Sequence, residues 1–461
     1  MTENFIHKGL WFLPEKPSNQ IPGTLIFDPQ EGIRLELIGN LSDFKSSKDI
    51  HEPDFILGIT TDGMQITLYK CFETTRSMSF PGMQTSKYTS NFIFKGRHFS
   101  FKSELVFNSI VGRLKNLEEW IGEYGFRTID NNFDTKETKV EYKLPDQIIF
   151  KVSSELTGKI NFIFSQPFSK YTNKIILEQK GQLVFEAKKQ ISFEDLLETF
   201  FQFQNFLTLG TFEASYPISL CLQSNTIYEE SDKNRIPINI DVYFTHSIIV
   251  RTTRQKILWE FLFNYRDIVS NFPIIIERWY QNLQTIRPVT NLLFESFYIP
   301  GKFSENNFLN ISQALETFHR RFRRNELLPK DQHKIKIKEI LDSVTSKHKD
   351  WLEGRLYFSN EPTLHMRLEE LIKELTNKTI NKVIKDPDSF IKDVKNSRNY
   401  FTHYDKSLEK KAKKGGELFI LTEKLRVILV CAILKETGFS DSQIETLLER
   451  NEWKFFNHIL E

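Results

Sequence analysis

One short segment of the sequence, residues 398–403, combines residue types that can cleave a phosphodiester. It reads RNYFTH and contains Arg398, Asn399 and His403. Histidine is the natural general base near neutral pH, and a guanidinium can stabilise charge on phosphate oxygens through two hydrogen bonds. RNA carries its own nucleophile, the 2′-hydroxyl, so such a pair predicts RNA cleavage that needs no metal ion. Asn399 would orient either group or hold a phosphate oxygen.

The spacing of this pair limits how the two side chains can meet. Five residues of an α-helix rotate a side chain by about 140°, so Arg398 and His403 would not share one face of a helix. They converge if Arg398 lies at a helix start or kink, or if two copies of the segment meet across a two-fold interface. The alternative interpretation is a charged, solvated helix face that carries a histidine.

The residues around this segment form a basic region in an otherwise nearly neutral chain. Residues 378–414 contain eleven basic and five acidic residues, which gives a local charge of +6, against +2 for all 461 residues. A local patch of this kind is typical of proteins that bind a phosphate backbone. A solvated surface without a ligand is the alternative.

Composition and cysteine usage exclude several classes of protein. The chain is 26% charged and 39% hydrophobic, and its length predicts two or three globular domains. Cys71, Cys221 and Cys431 have no CxxC or Cys/His spacing, so we expect neither a zinc site nor a disulfide framework, and a reducing cytoplasm fits best. The sequence starts without a signal-peptide pattern and contains no apolar run long enough for a membrane helix.

The first part of the chain is predicted to be rich in β-strands. Residues 25–39 alternate apolar and polar residues around a turn at Asp28, and residues 55–72 do so around Asp62-Gly63. The expected form is a sandwich or a strongly curved sheet. One helix interrupts it, with Ser192 as N-cap, Asp195 three residues later, and an apolar stripe made of Leu196, Leu197, Phe200, Phe203 and Leu207.

The second part of the chain is predicted to be helical. One or two helices are expected after residue 255, broken near Pro273, and residues 306–326 predict a helix with Phe308, Ile311, Leu315 and Phe318 inward. Further helices are expected over residues 335–344, 364–380, around 398–403, over 418–438, and after a capping box at Ser440 and Gln443. The predicted fold class is α+β with two domains. The expected boundaries are 1–250 for a β-rich N-terminal domain, 251–305 for connecting helices and 306–461 for a helical bundle.

Three stretches of the sequence resemble one family of proteins. The R-x4-H arrangement of Arg398 and His403, with a polar residue after the arginine, resembles the motif of HEPN-domain ribonucleases. The stretch QALETFHRRF (residues 313–322) resembles the early helix of the ApeA-like HEPN group. The N-terminal stretches GLWFLPE and GTLIFDPQEGIRLELIG resemble the β-rich domain that precedes HEPN in those proteins.

This resemblance implies a function and a setting. It implies a metal-independent endoribonuclease of bacterial anti-phage defence (abortive infection), cytoplasmic and acting as a homodimer or higher oligomer, that leaves 2′,3′-cyclic phosphate ends. The implied catalytic residues are Arg398, His403 and Asn399, and no metal or cofactor is expected. The implied partners are RNA, with transfer RNA as a family-level expectation, and an unidentified phage-derived trigger for the N-terminal sensor domain. The alternative function is a catalytically inactive HEPN-type module that recognises nucleic acid or a phage protein.

Additional residues are predicted to support the site. Glu316 matches a supporting acidic position, or is a helix-face charge that pairs with Arg320 four residues later. Tyr404 and Asp405 follow His403 directly, and Asp405 either orients His403 or offsets the neighbouring lysines. His319 and the arginines that follow it either contact RNA or form a solvated face. The predicted RNA-binding residues are Lys395, Lys406, Arg320 and Arg324.

Overall fold

The computed structural model divides the chain into two compact units. The structure describes residues 3–41, 51–132, 134–165, 175–231, 234–245, 260–299, 304–375 and 378–450. The first unit comprises Met1–Glu277 and the second Arg278–Glu461. The β-rich unit therefore extends past residue 250, where the sequence predicted its end. The predicted α+β class, with a β-rich part followed by a helical part, is confirmed.

The first six strands close on themselves. They are β1 (Phe5–Phe12), β2 (Ile21–Asp28), β3 (Gly32–Leu37), β4 (Phe55–Thr60), β5 (Gln65–Met78) and β6 (Gln84–Lys95). All neighbours are antiparallel, and β6 pairs with both β3 and β5, while β1 pairs with both β2 and β4. Closure leaves these strands without a free edge. Each contributes an almost fully buried side chain, namely Trp11, Leu25, Leu35, Ile56, Leu68 and Tyr88.

The sheet continues beyond this barrel. The later strands and helices of the unit are β7 (Val106–Leu114), α1 (Leu117–Ile121), β8 (Phe126–Asn132), β9 (Glu137–Tyr142), β10 (Ile148–Lys151), β11 (Leu156–Ser165), β12 (Glu178–Ser192), α2 (Phe193–Thr211), β13 (Pro217–Gln223), β14 (Tyr228–Ser231), β15 (Asn234–Pro237), β16 (Ile240–Tyr243) and α3 (Tyr265–Ile268). The order β10-β11-β12-β7-β13-β16 joins the barrel at β6. The pairs β8–β9 and β14–β15 are separate hairpins.

Helix α2 packs on β7 and β12 as its apolar stripe predicts. The hydroxyl of Ser192 accepts a hydrogen bond from the Asp195 backbone amide over 3.1 Å, which confirms the predicted N-cap. The predicted stripe residues are all buried. This helix therefore supplies one side of the core of the open part of the sheet.

The helical unit follows. Its helices are α4 (Phe272–Gln281, which begins in the first unit), α5 (Leu283–Tyr298), α6 (Ser304–Phe322), α7 (Lys330–Asp342), α8 (Ser346–Leu356), α9 (Leu364–Glu374), α10 (Lys378–Val383), α11 (Pro387–His403), α12 (Gly415–Glu436) and α13 (Asp441–Arg450). Pro273 lies in the first turn of α4, where proline is tolerated because the missing N–H has no partner within the helix. None of the helices described by the structure is long and apolar enough to cross a membrane.

Helix α12 is the centre of the helical unit. From Leu425 to Leu434 all of its residues are buried, as expected for a helix surrounded by others. It packs against α6, and α6 in turn contacts α5, α9 and α11. The predicted inward residues of α6, namely Phe308, Ile311, Leu315 and Phe318, are at most 1% exposed. The core thus fixes α6 and α11 side by side.

Candidate active site

Helix α11 carries the whole RNYFTH segment in its last turns. The helix begins at Pro387, and the carboxylate of Asp386 accepts a hydrogen bond from the Ser389 amide over 3.1 Å. One face of α11 is buried through Phe390, Ile391, Val394, Ser397 and Phe401. The remaining positions of the segment are therefore turned towards the surface by the packing of this face.

Arg398 lies in the body of the helix, and its side chain is 38% exposed. Its NH2 group is 3.8 Å from a carboxylate oxygen of Glu316 on α6, and its NH1 group donates to Oδ1 of Asn399 over 3.5 Å. The carbonyl oxygen of Arg398 accepts a hydrogen bond from the Thr402 hydroxyl over 2.7 Å. The arginine that the motif identifies is thus accessible, with an acidic partner on the neighbouring helix.

A cleft of about 630 Å³, which we call the arginine cleft, lies between α6 and α11. Its polar lining consists of Ser312, Gln313, Glu316, Thr317, Arg320, Arg398 and Thr402. Cavities of this size accommodate small ligands or part of a larger one. Two guanidiniums and several hydrogen-bond donors make it suitable for an anionic group such as a phosphate.

His403 is the last residue of α11 and does not line the arginine cleft. Its side chain is exposed, and no hydrogen bond to it is found among the described residues. Arg398 and His403 belong to one continuous helix, so the geometry of a helix start or kink at Arg398 does not apply. Within one copy, the two side chains point about 140° apart.

Asn399 lies in the angular gap between these two groups. On a regular helix it is about 100° from Arg398 and about 40° from His403. Its side chain is half-buried, and it already contacts the Arg398 guanidinium. A phosphate oxygen above Asn399 would therefore lie between the arginine and the histidine.

The residues after the helix leave His403 open to solvent. Tyr404 ends α11 in the left-handed conformation, with φ of 50°, and its ring is 66% exposed. The carboxylate of Asp405 accepts a hydrogen bond from the Ser407 amide over 2.9 Å, and this bond is the main cause that lowers the pKa of Asp405. Asp405 is thus engaged with Ser407, and no hydrogen bond joins it to His403 among the described residues.

An aromatic and basic cluster lies beside this end of α11. The rings of Tyr400 and Tyr404 are in edge contact at 5.6 Å, and the ammonium of Lys414 lies 5.0 Å above the Tyr400 ring. Lys395 and Lys406 are exposed and have no ion-pair partner in the part of the chain that the structure describes. These lysines remain available to an external anion.

Glu316 connects the two arginines of the cleft. Its other carboxylate oxygen is 3.8 Å from NH2 of Arg320, four residues later on α6. Arg320 also pairs with Glu361 over 2.8 Å. Glu316 therefore makes both contacts: the helix-face pair with Arg320 that the sequence predicted, and the contact with Arg398. Arg324 is exposed, as its predicted role requires.

His319 lies on the buried side of α6. It is 0% exposed, and its two ring nitrogens contact Glu370 at 2.8 Å and Arg367 at 3.0 Å. Of the two alternatives left open for His319, contact with RNA and a solvated face, neither fits a side chain that is 0% exposed. Arg367 was missed altogether, although its position on the apolar face of residues 364–375, beside Leu368 and Leu371, was a signal that it is buried.

In the described ranges, no group of three or more His, Cys, Asp or Glu side chains is arranged to hold a metal ion. The site offers the His403 imidazole, the guanidiniums of Arg398 and Arg320, the Glu316 carboxylate, amides, hydroxyls and lysines. This set can bind a phosphate and transfer a proton.

Two family models match the chain and together cover most of it. The model for the ApeA N-terminal domain 1 matches residues 6–279, and the model for the Apea-like HEPN domain matches residues 309–443. No curated protein and no solved structure matches the chain significantly. The first match spans the β-rich unit and the second includes α6, α11 and the arginine cleft. The chain therefore belongs to the ApeA family, with an ApeA N-terminal domain followed by an Apea-like HEPN domain.

Proposed function

We propose that this protein is a metal-independent endoribonuclease of an anti-phage defence system. HEPN domains are generally ribonucleases, and the Apea-like group suggests a nuclease role in defence. The observation that carries the proposal is the exposed edge of α11, where Arg398, Asn399 and His403 follow one another beside the arginine cleft.

The proposed reaction uses the ribose as nucleophile. His403 removes the 2′-hydroxyl proton, the 2′-oxygen forms a bond to phosphorus, and the bond from phosphorus to the 5′-oxygen breaks. The 5′-oxygen takes a proton from a second imidazole or from water. Arg398 stabilises the charge that develops on the phosphate oxygens, and Asn399 donates to one of them. The products are a 2′,3′-cyclic phosphate and a 5′-hydroxyl.

The angular separation of Arg398 and His403 supports a dimeric site. A second copy, related by a two-fold axis near the end of α11, would bring its His403 towards the first copy's Arg398. It would also supply the second imidazole that protonates the leaving oxygen. We therefore propose a homodimer as the active species, in which the Arg398 and His403 side chains of both copies combine in one active site.

The lysines and the N-terminal domain complete the proposal. Lys395 and Lys406 would bind phosphates on either side of the scissile one, in a target such as transfer RNA. A nuclease in its own host must be restrained. We propose that the barrel-containing domain holds the cytoplasmic enzyme inactive until a phage-derived signal arrives.

The experiment that tests the proposal compares His403→Ala and Arg398→Ala with the wild type in an RNA cleavage assay containing EDTA. Each variant should lose cleavage by about 100- to 10,000-fold, the range of general-base and charge-stabilising groups. His348→Ala, an exposed histidine on α8, is the matched control and should cleave like the wild type.

A second function is favoured by one observation. A catalytic imidazole is usually oriented by a hydrogen bond, and His403 has none among the described residues. If wild type and His403→Ala bind RNA equally and neither cleaves it, the protein is an RNA-binding module and the nuclease proposal is wrong.

A further inference from the structure

Arg367 is an arginine with almost no solvent contact. It is 1% exposed, and its guanidinium donates to Nδ1 of His319 over 3.0 Å and to Oδ1 of Asn325 over 2.6 Å. Its Nε is buried without a hydrogen-bond partner. Burying a cation is costly, and an apolar side chain of similar volume often serves stability equally well. The arginine therefore indicates a role beyond filling the core.

The partners of Arg367 fix it in one orientation. An arginine only donates hydrogen bonds, so Nδ1 of His319 must accept and the ring proton must be on Nε2. Nε2 then donates to the Glu370 carboxylate over 2.8 Å. Burial lowers the pKa of His319, which agrees with a neutral ring. We call Arg367, His319 and Asn325 the buried anchor.

A series of alternating charges leads from the buried anchor to the arginine cleft. One carboxylate oxygen of Glu361 is 3.7 Å from Arg367 and 2.8 Å from Arg320. Glu316 is then 3.8 Å from Arg320 through one oxygen and 3.8 Å from Arg398 through the other. The series thus runs Arg367, Glu361, Arg320, Glu316, Arg398, and ends on the guanidinium of the motif.

We propose that Arg367 is a positioning residue that holds Arg398 in its working orientation through Glu361, Arg320 and Glu316. This inference rests on the proposed nuclease function. Isolated exposed ion pairs restrain side chains weakly, because the pair competes with solvent and with rotamer freedom. A series fixed at one end by the buried, hydrogen-bonded pair of Arg367 and His319 loses much of that freedom, as binding and catalytic groups do when a second layer of residues packs around them.

The test breaks the series at Glu361, which is 29% exposed and so can be changed without disturbing the core. The variants are Glu361→Gln, Arg367→Lys and Arg367→Met. The matched control is Glu374→Gln, because Glu374 is 28% exposed, lies on α9 with Arg367, and pairs with Arg323, outside the series. Two properties are measured: kcat and KM for an RNA oligonucleotide, and the rate at which phenylglyoxal modifies Arg398, followed by mass spectrometry.

A positioning role predicts a specific pattern. Glu361→Gln should lower kcat by roughly 2- to 30-fold with little change in KM, the range seen for residues that act through others. It should also make Arg398 react faster with phenylglyoxal. Arg367→Met should also lower kcat and speed the modification of Arg398. Arg367→Lys should have a kcat between those of Arg367→Met and the wild type, and Glu374→Gln should resemble the wild type in both measurements.

The two proposals fail in different ways. If the wild type cleaves RNA no faster than Arg398→Ala, the nuclease function is wrong, while the phenylglyoxal rates still decide whether the buried anchor restrains Arg398. If Glu361→Gln leaves both the Arg398 modification rate and kcat at the wild-type values, the positioning role of Arg367 is wrong. A fall in kcat shared equally by Glu374→Gln would also overturn it, since the effect would then be general.

Discussion

The helical unit contains two histidines in opposite situations, His319 within α6 and His403 at the end of α11. His319 is 0% exposed, and both of its ring nitrogens have charged neighbours on α9. His403 is exposed, and no hydrogen bond fixes its ring among the described residues. The buried ring can organise structure but cannot meet a substrate. The exposed ring can meet a substrate but depends on that substrate, or on a second copy, for its orientation.

The two arginines near these histidines differ in the same way. Arg367 is 1% exposed and donates two hydrogen bonds to close partners, while the Arg398 side chain is 38% exposed and has a carboxylate at 3.8 Å. Guanidiniums that must bind an incoming phosphate need accessible N–H groups, and those that organise a core need the reverse. The accessibility of Arg398 and His403 agrees with the proposed chemistry, and the burial of Arg367 and His319 favours a role in organising the structure.

The largest expected effect concerns stability. Arg367→Ala should destabilise the helical unit by about 3–5 kcal/mol, because it leaves buried partners unsatisfied. Arg398→Ala should change stability by at most about 1 kcal/mol. Hydrogen exchange of the α6 and α9 amides at increasing denaturant concentration measures the free energy of unfolding of the helical unit by itself. Equal destabilisation by both variants would remove the distinction between the two arginines.

Asn399→Ala should have the next largest effect, this time on catalysis. It removes a donor from the gap between Arg398 and His403, so kcat should fall roughly 10- to 100-fold while stability stays within about 0.5 kcal/mol of the wild type. Single-turnover cleavage of an RNA oligonucleotide measures the rate. A matched change at Asn396, half-buried one turn earlier on α11, should leave the rate unaltered.

A smaller effect is expected from pH. The folded pKa of His319 lies below its ordinary value of 6.5, chiefly because the ring is buried. Between these two values the unfolded chain binds more protons than the folded chain, so stability is lost as the pH falls through 6.5. The protection factors of the same α6 amides, which correct for the slower intrinsic exchange at low pH, should be smaller at pH 5.5 than at pH 7.5 in the wild type, and His319→Gln should reduce this difference. If His319→Gln shows the same difference between the two pH values as the wild type, His319 is not the source of the pH dependence.

The smallest effect is expected from the exposed lysines. The association constant for single-stranded RNA falls as the salt concentration rises. Lys395→Gln and Lys406→Gln should each make the slope of its logarithm against log salt less steep by about 0.7, if each ammonium binds one phosphate. Fluorescence anisotropy between 50 and 200 mM salt measures the slope. Lys373→Gln is the control, since Lys373 is already paired with Glu369 over 2.7 Å.

Features that depend on neighbouring residues in the sequence were predictable. The turn after Asp28 joins β2 to β3, Ser192 caps α2, and Ser440 and Gln443 form the predicted reciprocal cap, with hydrogen bonds of 3.0 and 3.2 Å. These elements depend on local hydrogen bonds and on the period of apolar residues. The helix that carries Arg398, Asn399 and His403 was predictable from the same local information.

Features that depend on long-range pairing were not predictable. The closure of the barrel requires β1 to pair with β4, which no local pattern specifies. Helix α8 was not predicted, and none of its residues is buried, so it lacks the inward apolar stripe on which such a prediction relies. The burial of His319 depends on how α9 packs against α6, and a charged stretch of sequence gives no hint of it.

The most direct test of the nuclease proposal is the chemistry of the RNA ends produced by the purified protein in EDTA. The wild type should produce fragments with 2′,3′-cyclic phosphate and 5′-hydroxyl ends, and His403→Ala and Arg398→Ala should produce none. Fragments with 3′-hydroxyl and 5′-phosphate ends, or undiminished cleavage by both variants, would contradict it.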